Sequence, residues 1–261
     1  VAARSSDDDR LLCPAPSYFD YITYSKAVGL NVETVDLDRS FNLNTTAFIE
    51  KLRQPQNVCA IICNPNNPTG NMLRSDDIIS VIQSTDKPVL IDEAYFEFSN
   101  TTLVNMLESF PNLLILRSFS KGFFAAGLRF GYMIGNKDII YELKKVMTAF
   151  NLSLVTQNIA TTFLDNLNYF TDRINILKEN RNYLRDGLRS FDELTVYDSH
   201  TNFITVNAGE HKERFFDFIT DSDIAIRDVS AHSLLKDSLR ISVGTVDECD
   251  LFLRRSKSYF K

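Results

Sequence analysis

Short apolar runs, each closed by polar residues and set about one strand–helix–strand repeat apart, constrain this chain more than any other feature. Asn57-Val58-Cys59-Ala60-Ile61-Ile62-Cys63 leads into the turn-rich Asn64-Pro65-Asn66-Asn67-Pro68-Thr69-Gly70. Pro88-Val89-Leu90-Ile91 ends at Asp92, and Leu113-Leu114-Ile115-Leu116-Arg117 gives way to Ser118-Phe119-Ser120-Lys121. Asn64 and Asp92 lie 28 positions apart, and Asp92 and Lys121 29. A fourth run, Arg129-Phe130-Gly131-Tyr132-Met133-Ile134, follows. Runs this uniformly apolar predict strands covered on both faces. Between the first two, Ser75-Asp76-Asp77 opens a helix to about Ser84, with Ser75 as its N-cap. The pattern is that of an α/β sheet, in which function collects just past the carboxyl ends of the strands. Asn64, Asp92 and Lys121 are therefore expected on one rim.

From about Lys137 to Ser190 the periodicity turns helical, with Ile139, Ile140, Leu143 and Val146 on one face and Ile174, Leu177, Leu184 and Leu188 on another. Strands at Thr201–Val206 and Asp237–Val243 and a helix from about Val246 predict a smaller α+β unit. No linker, repeat or low-complexity tract intervenes, so the two units should pack closely. The chain has 261 residues, 44% of them hydrophobic, enough for one large core or two ordinary ones. A net charge of −6 argues against nucleic acid or anionic lipid as partner. No apolar run approaches the roughly 18 residues that span a bilayer. The polar start Val1-Ala2-Ala3-Arg4-Ser5-Ser6-Asp7-Asp8-Asp9 is no secretory signal. A soluble, cytoplasmic protein is the expectation.

The four cysteines form no Cys-x-x-Cys pair, and Cys59 and Cys63 read as packing inside a strand. His200, His211 and His232 lack helical ligand spacing, so no metal site is expected. With only nine glycines and neither a G-x-G-x-x-G turn nor a Walker loop, dinucleotide and nucleoside triphosphate folds lose their support. Taken singly, Asn64, Asp92 and Lys121 read as a turn, a helix cap and a surface residue. Together they supply a lysine amine for a Schiff base, an acid for a pyridinium and a donor for a phenolate. Pyridoxal phosphate asks for that set.

CNPNNPTG (Cys63 to Gly70), DEAYFEF (Asp92 to Phe98), LRSFSKGF (Leu116 to Phe123) and GLRFGY (Gly127 to Tyr132) resemble, in order and spacing, the fold-type I pyridoxal-phosphate aminotransferases of class I/II. Pro16-Ser17-Tyr18 upstream, with IRDVS (Ile226 to Ser230) and LRISVG (Leu239 to Gly244) downstream, is similar to the histidinol-phosphate aminotransferase branch. The resemblance implies a large cofactor-binding domain over 1–172 with a mixed, mostly parallel sheet, and a small α+β C-terminal domain over 173–261. It implies that Lys121 joins the cofactor aldehyde and then shuttles the α-proton. Asp92 would pair with the pyridine nitrogen, Asn64 and Tyr95 with its phenolic oxygen, and Tyr18 would stack on the ring. Ser118, Ser120 and Arg129 would take the 5′-phosphate. Arg240 and Arg227, with Asn202 nearby, would grip an anionic substrate, a phosphorylated or carboxylated amine in one half-reaction and 2-oxoglutarate or glutamate in the other. The small domain could then close on it.

The family pattern also carries a long stretch ahead of the Pro-Ser-Tyr motif, where fifteen residues precede Pro16 here. That stretch supplies opening strands, a helix N-terminus for the phosphate and a tyrosine for the neighbouring subunit. The chain is then a piece of a longer enzyme, half of a split or fused protein, or a short homologue, and weaker cofactor retention is expected. A homodimer is implied. Two further readings stay open: a lyase of the same branch, such as threonine-phosphate decarboxylase, and a non-catalytic aminotransferase-like module.

Overall fold

The computed structural model describes residues 6–261, so the first five residues of the polar N-terminal stretch lie outside it. Along the chain run β1 (Arg10–Ala15), α1 (Asp20–Ala27), β2 (Asn31–Asp36), α2 (Thr45–Arg53), β3 (Asn57–Cys63), α3 (Ser75–Gln83), β4 (Val89–Asp92), α4 (Phe96–Ser99), β5 (Leu113–Ser118) and β6 (Gly131–Gly135). Helices α5 (Lys137–Lys145), α6 (Leu154–Asp165) and α7 (Leu167–Leu188) follow, then β7 (Thr195–Val196), β8 (Phe203–Asn207), α8 (Lys212–Thr220), β9 (Arg227–Asp228), β10 (Ser238–Ser242) and α9 (Val246–Tyr259). The first six strands form one sheet in the order β2-β1-β3-β4-β5-β6, and the last four another, β7-β8-β10-β9. Strands β1 to β5 are parallel, β6 is antiparallel to β5, and the second sheet is antiparallel throughout. This is the fold-type I α/β architecture that the motifs imply.

The strands β3, β4, β5, β8 and β10 fall where the apolar runs place them, with ends shifted by one or two residues. Strands β1 and β2 carry no such signal. The apolar run of β1 holds Pro14, which lies beyond the last β1–β3 partner, Leu12 to Ala60, and pairs only towards Val35 of β2. A proline is tolerated where one neighbour is absent. β2 reads Asn-Val-Glu-Thr-Val-Asp, an edge strand with only Val35 buried. β6 departs from the expectation of cover on both faces: it is an antiparallel edge strand whose Gly131 and Tyr132 are exposed.

Leu12, Phe48, Leu52, Ile62, Ile78, Ile91, Leu113 and Ile115 form the core under α2 and α3. A second core gathers Leu184, Leu188, Ile204, Val206, Phe215, Leu239 and Phe252. Helix α7 serves both sides. Its Phe170 packs on Phe123 and Phe163, its Ile174 joins Tyr95, Phe98 and Phe203, and Leu184 and Leu188 enter the second core. The expected division at 172/173 falls inside this continuous helix.

Two local expectations need correction. Arg74, not Ser75, is the N-cap of α3, and no side chain caps it; Asp76 and Asp77 in the first turn complement its dipole instead. The apolar stripe of α5 is not buried: no residue of the helix is, and Val146 lies past its end, 55% exposed. α9, by contrast, starts with a complete capping box between Thr245 and Glu248. Thr245→Ala should therefore cost about 1 kcal/mol in urea unfolding, while Ser75→Ala stays within about 0.5 kcal/mol. Equal losses at the two sites would contradict these cap assignments.

Candidate active site

The parallel register sets the rim. Cys63 is paired with Asp92, and Asp92 with Leu116, so Asn64, Asp92 and the turn carrying Ser118, Ser120 and Lys121 leave adjacent strands at one end of the sheet. The Asn64 amide donates to the Asp92 carbonyl at 2.9 Å. Its side-chain Oδ1 accepts from the Leu73 amide at 2.9 Å, which commits the oxygen and leaves the amide NH2 as the donor end. Asp92 is buried, with Oδ1 accepting from the Ala94 amide at 3.0 Å and Oδ2 from the Tyr21 hydroxyl at 2.6 Å. Burial pushes its carboxyl up, and the Tyr21 hydrogen bond opposes this most strongly. Burial, aided by Arg240 and Arg129, pulls the Lys121 amine below its ordinary range. Ser118 Oγ accepts from the Ser120 amide at 3.0 Å. Arg129 lies outside β6, in a left-handed turn at φ 52°, with its guanidinium on the Ala126 carbonyl at 3.1 Å.

A cleft of about 670 Å³ opens over this rim, lined among others by Tyr18, Asn67, Tyr95, Lys121, Arg227, His232 and Arg240. It brings together residues more than 200 positions apart. Asn64, Asp92, Ser118, Ser120, Arg129 and Asn202 are not among its described lining residues. Asn202 precedes β8 rather than lying in it, and its carbonyl accepts from the Val243 amide at 2.9 Å. Tyr18 is 37% exposed, and its hydroxyl donates to Asp20 at 2.5 Å. Tyr95 is buried, which raises its phenol. Lys121 Nζ lies 5.7 Å from the Tyr95 ring centre, Tyr95 meets Phe203 edge-on at 5.6 Å, and the Arg240 guanidinium lies 4.8 Å from the Phe203 ring centre. A cation–aromatic–aromatic–cation line thus runs from the first sheet to the second.

Arg240 donates to Asn67 Oδ1 at 2.8 Å, while its Nε is buried without a hydrogen-bond partner. Arg227 stands directly opposite it in the antiparallel β9–β10 register. Like charges so placed repel. Burial lowers the Arg240 guanidinium, and Arg227 lowers it further. Such a pair asks for an anion.

Several supporting residues carry no sequence signal of their own, because partners far along the chain create their roles. Glu93, 2% exposed, accepts from Arg117 Nε and Nη2 at 3.1 and 3.0 Å, from Thr102 at 2.8 Å and from the Leu103 amide at 2.9 Å. It braces the segment behind Asp92. Asp228 is pinned by Lys212 at 2.5 Å next to Arg227. Glu97 packs on the backbone after Lys121: a Cβ on Gly122 would fall 2.5 Å from its Cγ and Cδ. Only the acidic residues inside DEAYFEF could have hinted at Glu93 and Glu97.

Comparison with known proteins assigns the family. The profile for Aminotransferase class I and II matches residues 1–255. The histidinol-phosphate aminotransferase of Caldanaerobacter subterraneus subsp. tengcongensis is 35% identical over 94% of this chain and 69% of its own length. The solved histidinol-phosphate aminotransferase of Clostridium acetobutylicum superposes with a TM-score of 0.91 at 27% identity, over 96% of this chain and 78% of that one. The chain belongs to the class I and II aminotransferases. The L-threonine-O-3-phosphate decarboxylase of Porphyromonas gingivalis shares the fold, at a TM-score of 0.81 and 21% identity over 96% of this chain and 77% of that one.

An aminotransferase of this class works with pyridoxal 5′-phosphate, and the residues present suit that group. A buried carboxylate calls for a cationic partner such as a protonated ring nitrogen. Lys121, Arg129, Arg227 and Arg240 bring four cations that call for a phosphate and a carboxylate. Among the described residues, no cluster of His, Cys, Asp and Glu could hold a metal ion, and no helix is long and apolar enough to cross a membrane.

Within this aminotransferase Glu97 makes a pH-dependent demand. Burial pushes its carboxyl from 4.5 up to about 7, and its Oε2 is buried without a hydrogen-bond partner. Between those values the folded chain binds more protons than the unfolded one, so this group's contribution to stability falls as pH rises through that window. Relative to Glu97→Gln, the wild type should lose thermal stability from pH 5 to 7 and level off by pH 8. Parallel melting profiles of the two proteins would contradict the placement of Glu97.

Proposed function

We propose that this aminotransferase moves an amino group between a phosphorylated amine like histidinol phosphate and 2-oxoglutarate. The observation that carries the reading is the Arg227–Arg240 pair, opposite each other on the wall of the cleft that also holds Lys121. Two guanidiniums that suit a bidentate anion serve a phosphate in one half-reaction and a second carboxylate in the other. The relatives named above support it.

Pyridoxal phosphate, when bound, supplies an electron sink for the pair left by the bond broken at the substrate's α-carbon. Lys121, its amine lowered by burial and by two arginines, is the group that takes and returns the proton there. Asp92 would hold the proton on the ring nitrogen. The Asn64 NH2 and the Tyr95 hydroxyl would donate to the phenolic oxygen, and Tyr18 would lie against the ring face. Ser118, Ser120 and Arg129 would bind the phosphate. Arg240, anchored on Asn67, and Arg227 would orient the substrate's anion, with Asn202 at the entry to β8 as a further candidate contact.

The two units divide near 172/173, with α7 as the shared pivot. A homodimer fits the apolar surface left at Val146, Met147, Phe150, Leu154 and Val155. Four free cysteines fit the cytoplasm.

Addition of glutamate to the cofactor-loaded protein tests the reaction class: transamination converts the bound cofactor to its amine form, whereas a decarboxylase leaves it unchanged and releases carbon dioxide from its amino acid. Arg227→Gln should raise KM for the phosphorylated amine about tenfold or more, as expected on losing a charged hydrogen bond, with kcat little altered. An unchanged KM would remove Arg227 from the substrate site.

A further inference from the structure

Tyr21 belongs to none of the motifs, yet it touches the group on which the cofactor site turns. It comes from α1, 71 residues from Asp92 in sequence, and its hydroxyl donates to Asp92 Oδ2 at 2.6 Å. The other oxygen, Oδ1, takes the Ala94 amide. One donor on each oxygen fixes the plane of the carboxylate, and each oxygen keeps lone-pair capacity for a further partner. The Tyr21 ring also meets Tyr18 edge-on, 5.4 Å between centres at 86°. It therefore joins the carboxylate meant for the ring nitrogen to the aromatic side chain meant for the ring face.

We propose that Tyr21 is a positioning residue that aims the Asp92 carboxylate at the cofactor's ring nitrogen and stabilises its charged form. This rests on the cofactor-site reading given above. The titratable groups around Asp92 show why the carboxylate needs such help. Cys63 on β3 holds its thiol nearby, Glu93 adds a like charge from the turn after β4, and Lys121 opposes it from the turn after β5. Tyr18 and Tyr95 complete the surroundings. Burial works against the ionised form, and among the opposing influences the Tyr21 hydrogen bond is the largest. The Tyr21 phenol is itself held well above its ordinary range, chiefly by burial, so it stays a donor. Hydrogen bonds to buried charges are the ones whose loss is felt most.

The test is equilibrium dialysis of pyridoxal phosphate against the apo-protein at pH 8 and pH 6. Tyr21→Phe keeps the ring against Tyr18 and removes only the hydroxyl. It should weaken cofactor binding about tenfold at pH 8, the loss of a charged hydrogen bond, and by a larger factor at pH 6, because a carboxyl raised by burial and stripped of its strongest opposing donor gains protons sooner as pH falls. Because Tyr21 acts through Asp92, the double variant Y21F/D92N should bind no more weakly than Asp92→Asn alone. That comparison separates positioning from a general loss of packing, which would weaken both backgrounds alike. Wild-type affinity for Y21F at both pH values, or penalties that multiply in the double variant, would overturn the proposal. A wild type that binds no cofactor, or an Asp92→Asn protein that binds as the wild type does, would overturn the underlying site reading instead.

Discussion

A carboxylate buried at the end of a parallel strand is the constraint around which the structure is arranged. Asp92 closes β4 between β3 and β5, where the strand ends lose their ladder partners and polar groups converge. Burying a charge there is costly unless donors and a counter-charge meet it. The chain provides the donors from α1 and from the turn after β4, and the nearest cation from the turn after β5. Glu93, locked to Arg117, Thr102 and Leu103, keeps that turn rigid. The same cost that makes Asp92 unfavourable in isolation makes it selective for a cationic ring.

The loop after β3 couples this centre to the second sheet. Asn64 lies at its start on the rim. Further along, Asn67 takes Arg240, the Pro68 carbonyl takes Thr205 Oγ1 at 2.5 Å, and the Gly70 carbonyl takes the His200 amide at 2.7 Å. Gly70 sits at φ +82° with a would-be Cβ 3.0 Å from Ser199, a conformation and a closeness that glycine alone meets without strain. With α7 running from the Phe123 and Tyr95 clusters into the second core, Arg227 and Arg240 are held in register with Lys121. On the proposed reading, an anion gripped by the second sheet would be presented to a site built on the first.

The main rim was legible because parallel strands buried on both faces write themselves as unbroken apolar runs, and the polar residues that end those runs mark the functional edge. Asn64, Asp92 and Lys121 were placed by that logic alone. Edge strands are half-solvated, so β2 lacks the signal and β6, though legible as a strand, lacks the cover on both faces that its run implies, while Pro14 masks β1. The α5 stripe was legible as a shared face for Ile139, Ile140 and Leu143, with Val146 falling just past the helix end, and periodicity reports such a face without saying what covers it. Tyr21, Asn67, Lys212 and Glu97 were silent because their work is defined by partners that the sequence keeps 16 to 173 positions away or, for Glu97, by a glycine that leaves room. Helix caps were only partly readable, since Ser75 has the right chemistry but stands one residue inside the helix.

The most direct measurement is borohydride reduction of the cofactor-loaded protein followed by peptide mapping. A primary amine at the rim, lowered by burial and by two arginines, is the one the cofactor aldehyde should join. The added mass is expected on the peptide carrying Lys121. Label on another lysine, such as Lys178 of α7, or no label on a protein that retains bound cofactor, would contradict the account.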